Sequence, residues 1–138
     1  KAATLAEDHA RLEAALDRLR TIADNLDEAS AEAAVALIAE AAGLVTGRIA
    51  EHERSDERDV YPSLAPHLGD GHGLAAMSRA HREILHLARL LGRITDGLTP
   101  ADADRALVRD AQRVIEQVEA LVRLHSAQEQ DIYEFAAA

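Results

Sequence analysis

Two histidines in the sequence are each followed, four residues later, by a carboxylate. His52 precedes Asp56 in this way, and His125 precedes Glu129. On an α-helix, residues four positions apart lie only about 40° apart around the axis, so both side chains of such a pair can reach one ion. A single pair of this kind is usually a surface ion pair, so its meaning depends on whether it faces the interior.

Apolar residues recur at three- and four-residue steps in four segments of the chain, and these stripes indicate which faces are buried. A histidine replaces an apolar residue within two of the stripes, and the two His-carboxylate pairs continue the other two. Each predicted helix therefore directs at least one histidine at the core. The six polar residues on the stripes are His9, His52, Asp56, His81, His125 and Glu129.

Six such groups are costly to bury without partners. A buried polar group without a hydrogen bond costs roughly 2–7 kcal/mol, and an unpaired charge costs more. A pair of divalent cations would remove this cost for all six. Imidazole suits iron, zinc or copper and carboxylates suit harder ions, so the set favours iron, with zinc or manganese as alternatives.

The two halves of the sequence resemble each other. Almost equal intervals separate the first of these histidines from the second and the third from the fourth, and a tyrosine follows each His-carboxylate pair. This repeat predicts two metal ions related by a pseudo-twofold axis. We expect Tyr61 and Tyr133 to act as packing caps or hydrogen-bond donors rather than as ligands.

Four amphipathic segments with short connections predict an all-α fold, an up-down-up-down antiparallel four-helix bundle with the metal site in its core. A chain of 138 residues suits one such core, so we expect 1–138 to form a single domain. The first helix is expected over about 4–24. The second should stop near Pro62, which cannot continue the backbone hydrogen-bond ladder, and the longest loop should follow over 61–73.

The start of the fourth helix is predicted by residue type. Thr99, Pro100 and Asp102 supply an N-cap residue, a proline suited to the first turn and an early acid. We therefore expect this helix to begin there.

The composition excludes several classes of partner. The net charge of −10 argues against nucleic acid, whose binding depends on clustered Lys and Arg. With no Cys, a disulfide or a thiolate zinc site cannot form. We expect no apolar stretch to approach the roughly 20 residues that a membrane-spanning helix needs, so a cytoplasmic protein without a membrane partner is predicted. A protein partner or a fused domain stays open.

These residues resemble the hemerythrin-like, His-His-Glu cation-binding family over nearly the whole chain. The resemblance implies a four-helix bundle around two iron ions joined by an oxo or hydroxo bridge. Asp56 and Glu129 would also bridge the irons. The terminal ligands would be His9, His52, His81 and His125.

The third helix departs from the oxygen-carrying hemerythrins. These have a second histidine four residues after the first, whereas this chain has Leu85 there. His86 lies about 140° around the helix from His81 and is expected to face away. Glu13 is a further candidate because it lies four residues after His9. Glu53 is another because it follows His52 directly, where some members of the family that resemble iron sensors use a Glu ligand. We expect both to face solvent.

Three functions fit this pattern. The resemblance favours a non-haem di-iron domain that binds or senses dioxygen or iron. Leu85 suggests an open coordination position, which would suit a di-iron enzyme acting on peroxide or nitric oxide. The third is a metal-free helical interaction bundle whose buried histidines respond to pH.

Overall fold

A computed structural model describes residues 2–69 and 72–137 of the chain, with the side chains of 7–69 and 73–137. Four helices account for most of these residues, and no strand occurs among them. Each helix packs against its sequence neighbours, and the last packs against the first, which confirms the predicted bundle. The helices are α1 (Ala2–Asn25), α2 (Ala31–His67), α3 (His72–Thr95) and α4 (Arg105–Ala137).

Large aliphatic side chains from all four helices fill the core. Each contributes about 1.5–3 kcal/mol when it is removed fully from water. The predicted stripes supply most of these side chains, although Ile22 and Ile115 lay outside them. Those with at most 2% of their surface exposed are Leu16, Leu19, Ile22, Ile38, Ile49, Ile84, Leu91 and Ile115.

Helix α2 is continuous but contains two π-turns, Val45–Ile49 and Asp56–Val60. In the second, the Tyr61 N–H donates to the Asp56 carbonyl five residues earlier. Pro62 then lies in the first turn of the next α-helical segment, where a missing N–H is tolerated. The prediction that this helix stops near Pro62 was therefore wrong, and so was the long loop that it implied.

The fourth helix begins later than the sequence predicted. The Asp104 carboxylate accepts a hydrogen bond from the Leu107 N–H at 2.8 Å and so caps the helix that starts at Arg105. Asp102 instead closes a separate turn, because its Oδ2 accepts from the N–H and hydroxyl of Thr99 at 3.2 and 2.9 Å. Capping residue types occur at both places, and the sequence prediction chose the wrong one.

Helix α2 also contains a markedly apolar stretch. An 18-residue window has a mean hydropathy of 1.6, so the helix could cross a membrane by length and composition alone. We expected no apolar stretch long enough to span a membrane, and for α2 this expectation was wrong. A buried core helix has the same composition, and Ile38, Val45 and Ile49 of α2 are fully buried in the bundle.

Candidate metal centre

Two clusters of His and carboxylate side chains lie together at one end of the bundle. The first cluster consists of Glu53, His81, His125 and Glu129, all buried. The second cluster consists of His52, Asp56 and Glu129. Within each, the potential ligand atoms lie within 4.8 Å of one another. Glu129 belongs to both clusters, so its carboxylate has the position of a bridge.

In the first cluster, two nitrogens and two oxygens alternate around a common centre. Glu53 Oε2 lies 2.6 Å from His81 Nε2 and 3.3 Å from His125 Nε2. Glu129 Oε1 lies 2.6 Å from His125 Nε2 and 3.3 Å from His81 Nε2. The four atoms come from three helices, so the tertiary fold assembles the cluster.

The second cluster is more open. His52 Nε2 lies 3.3 Å from Asp56 Oδ2, and the His52 side chain retains 15% of its exposure. His9, predicted as a ligand, lies beside this cluster, with its ring 6.2 Å from that of His52 and nearly perpendicular to it. Its nitrogens are outside the 4.8 Å group. The structure thus places His9 next to the second cluster but farther from its centre than the other predicted residues.

Two tyrosines hold the shared carboxylate. The Tyr61 hydroxyl donates to Glu129 Oε1 at 2.6 Å, and the Tyr133 hydroxyl donates to Oε2 at 3.3 Å. Tyr61 is buried and stacks on the His81 ring at a centroid distance of 5.1 Å. Both tyrosines therefore donate hydrogen bonds, as the sequence predicted, and both donate to Glu129.

The model of the hemerythrin HHE cation binding domain family matches residues 1–136. The chain belongs to this family. No curated protein and no solved structure matches the chain. The buried His and Glu cluster of this hemerythrin domain fits the cation binding for which the family is named.

Glu53 is the site residue that the sequence prediction placed wrongly. It is 1% exposed and points into the first cluster, whereas we expected it to face solvent. On an α-helix, His52, Asp56 and Glu53 lie at about 0°, 40° and 100°, so all three fit on one buried face. The signal was present in the sequence, because Glu53 follows the buried Ile49 by four residues.

The other candidates of the hemerythrin domain lie outside both clusters. Glu13 and His86 are exposed, as expected. Leu85, at the position where oxygen-carrying hemerythrins have a histidine, is half-buried beside the first cluster. The described residues thus supply no third imidazole to that cluster.

The electrostatics of the hemerythrin domain favour charged groups at the first cluster. Burial lowers the pKa of His81 and His125, but the adjoining Glu129 and Glu53 outweigh it and raise these pKa values to about 10 and about 9. Burial likewise opposes ionisation of Glu53 and Glu129, yet the imidazoles beside them bring both carboxyl pKa values below their usual range. Without metal, protons on the two imidazoles balance the two carboxylates.

The carboxyl pKa of Asp56 shifts in the opposite direction to those of Glu53 and Glu129. Burial raises the pKa of its carboxyl, and the nearby charge of Glu129 adds to this increase, although His52 opposes it. In the same cluster, burial lowers the pKa of His52, but Asp56, Glu53 and Glu129 outweigh this effect and raise that pKa. A cation between Asp56 and Glu129 would relieve their repulsion.

Buried polar atoms without hydrogen bonds test whether these residues suit a metal. Glu53 Oε2 and Asp56 Oδ2 have none among the described residues, although imidazole nitrogens lie close to both. Buried carboxylate oxygens in this position need a positive partner, which is either an imidazolium proton or a bound cation. Two imidazoles and two carboxylates also form a donor set that iron, zinc and manganese accept. The residues fit a metal centre.

Proposed function

We propose that this hemerythrin domain holds two iron ions, one at each cluster. Glu53, His81 and His125 would hold the first ion, and Glu129 would bridge to the second. His52, Asp56 and the neighbouring His9 would complete the second site. The observation that carries the proposal is Glu129, whose carboxylate reaches both clusters. Zinc or manganese could bind the same donors.

The proposed role of the ion pair is to bind or sense dioxygen, or to respond to iron supply. Bound ferrous ions would supply the electrons for dioxygen binding. The protein's own contribution is to hold the donors in place and keep bulk water away, since the four residues of the first cluster are almost completely buried. The net charge of −10 supports the further expectation that nucleic acid is no partner.

Anaerobic purification, a metal assay and an optical spectrum taken as oxygen is admitted would test this function. We expect about two irons per chain, the stoichiometry of two clusters, and a new charge-transfer band that reverses when oxygen is removed. Metal-free protein with unchanged folding in chelator would instead support an interaction bundle. If the spectrum of the iron-loaded protein does not change when oxygen is admitted, the metal site would be supported but dioxygen would not be its ligand.

A second function, decomposition of peroxide or nitric oxide, is supported by the surroundings of Leu85. A cavity of about 280 Å³ is lined by this residue together with Glu53 and His81 of the first cluster. A small molecule in the cavity would therefore lie beside the proposed first ion. Leu85 itself offers no ligand atom.

Leu85→His would test this second function. An imidazole there would compete for the open position, so consumption of peroxide or nitric oxide by the iron-loaded protein should fall. Leu124→His, at a leucine that is 58% exposed, is the matched control and should have no effect. Unchanged turnover in Leu85→His would contradict an open position on this side.

A further inference from the structure

The hydroxyl of Tyr61 approaches the donor atoms of the first cluster more closely than a packing residue would. It lies 2.6 Å from Glu129 Oε1, 2.9 Å from His81 Nε2 and 3.4 Å from His125 Nε2. Three potential metal-ligand atoms from two other helices thus surround one phenol oxygen. The hydroxyl donates to Glu129 and is also within hydrogen-bond distance of both imidazole nitrogens, so three potential ligand atoms of the first cluster converge on it.

These distances match the spacing of ligands around one ion. Imidazole nitrogens and carboxylate oxygens bind transition ions at about 2.0–2.2 Å, so neighbouring ligands at right angles lie about 3 Å apart. The phenol oxygen has this spacing from both imidazole nitrogens. It also lies at the inner ends of both histidines, where their Nε2 atoms converge with Glu53 Oε2.

The backbone of α2 explains why Tyr61 reaches this position. In an uninterrupted α-helix, a residue five positions after Asp56 would lie about 140° around the axis and face away from the cluster. The π-turn instead pairs position i with i+5, which brings Tyr61 back above Asp56. Such turns occur frequently at functional sites. Here the irregularity directs the phenol oxygen at the centre.

We propose that Tyr61 is a phenolate ligand of the ion at the first cluster, alongside Glu53, His81, His125 and Glu129. This inference rests on the proposed function. It gives the first ion an oxygen ligand from α2 in a cluster where Leu85 provides none. On coordination the phenol O–H bond breaks, its proton leaves to solvent and the oxygen lone pair binds the ion, with no change in oxidation state.

Tyr133 provides a matched comparison within the same site. Its hydroxyl contacts Glu129 Oε2 at 3.3 Å, and its only hydrogen bond among the described residues is this one. Neither His81 nor His125 forms a hydrogen bond with the Tyr133 hydroxyl. Tyr133 should therefore remain a hydrogen-bond donor when ions bind, which makes Tyr133→Phe the control for Tyr61→Phe.

The test is the spectrum of the full chain loaded with iron and oxidised to the ferric state. Coordinated phenolate gives ferric iron a visible charge-transfer band, and excitation in that band enhances the phenolate ring vibrations in the resonance Raman spectrum. We expect both signals in the wild-type protein and in Tyr133→Phe, and their loss in Tyr61→Phe. The Phe variant keeps the ring that stacks on His81, so folding should be preserved.

The outcomes separate this inference from the proposed function. Full iron content without phenolate vibrations in the wild-type protein would overturn the inference and leave the metal centre intact. Signals that persist in Tyr61→Phe would also overturn it. A wild-type protein that takes up no iron would overturn both proposals. If Tyr61→Phe fails to fold, the wild-type Raman spectrum still decides whether a phenolate is bound, and Tyr133→Phe decides which tyrosine supplies it.

Discussion

Glu53 Oε2 lies 2.6 Å from His81 Nε2, so a carboxylate of α2 meets an imidazole of α3 in the interior of the bundle. The pair is almost completely buried, with 1% and 2% of the two side chains exposed. His125 and Glu129 approach it from α4. An ion bound here would join three helices, and it would stabilise the folded state because the unfolded chain cannot assemble these donors.

Glu53→Gln should weaken the first site. The amide removes a charged oxygen from a buried donor set, so we expect affinity for the first ion to fall at least about tenfold. Metal content after dialysis against buffered zinc would measure this. Glu51→Gln, two residues earlier and exposed, is the control and should retain both ions. Equal ion content in the two variants would show that Glu53 is not a ligand.

Glu129→Gln should impair both sites, because this carboxylate belongs to both clusters. We expect ion content to fall from two per chain toward zero, a larger loss than Glu53→Gln causes. Elemental analysis of the purified proteins would show the difference. Glu134→Gln, an exposed acid on the same helix, should bind normally. Retention of one full ion by Glu129→Gln would argue against a shared carboxylate.

Ion binding at the first cluster should release protons. The pKa values of His81 and His125, about 10 and about 9, keep both imidazoles protonated at neutral pH, whereas a metal binds the neutral ring. We expect two protons per ion from the imidazoles and a third from the phenol of Tyr61 if it binds the ion, so the apparent zinc affinity should rise at least about 100-fold per pH unit below pH 9. Calorimetric titration in buffers of different ionisation enthalpy measures the protons. Zero release would mean that both rings start neutral.

The metal-free protein should lose stability as the solution becomes alkaline. His81 and His125 have folded-state pKa values above the usual 6.5, so the folded chain binds more protons than the unfolded chain. Their contribution is complete below about pH 6.5 and is lost as the pH rises through about 9 to 10. Urea unfolding across this range measures the free energy of unfolding. A constant or increasing value would contradict the ion pairs of the first cluster.

Asp104→Ala should destabilise the bundle away from the metal site. The carboxylate caps α4 through the Leu107 N–H, and loss of such a cap costs about 1 kcal/mol. Chemical denaturation of the metal-free protein would measure the change in the free energy of unfolding. Asp110→Ala, at an exposed acid within the same helix, should cost little. Equal effects would exclude a specific role for the cap.

The sequence was sufficient to predict the bundle and most residues of the clusters, because helical periodicity reports directly on which face is buried. His81, His125 and Glu129 interrupt or continue apolar stripes, and the structure buries all three. Glu53 was predicted wrongly because the prediction used the stripe of α2 that runs through His52 and Asp56. Glu53 lies on a second stripe, four residues after Ile49. A buried helix face is wide enough to contain both.

Other features depend on information that periodicity does not contain. The position of Tyr61 at the cluster follows from a π-turn, a change in hydrogen bonding that composition does not indicate. The start of α4 depended on a choice between Thr99 and Asp104, both of which are residue types that cap helices. Residue type alone does not rank the two positions, so it could not locate the start of the helix.

The π-turn at Asp56–Val60 gives α2 one residue more between Asp56 and Tyr61 than regular winding would need. Deleting one residue between them, such as the exposed Arg58, would put Tyr61 four positions after Asp56, about 40° around an α-helix and so on the same face. Regular winding without a deletion would instead move Tyr61 about 140° from Asp56 and away from the cluster. In an alignment of this helix, a one-residue gap before the tyrosine is therefore compatible with a retained ligand, and an ungapped tyrosine does not guarantee one.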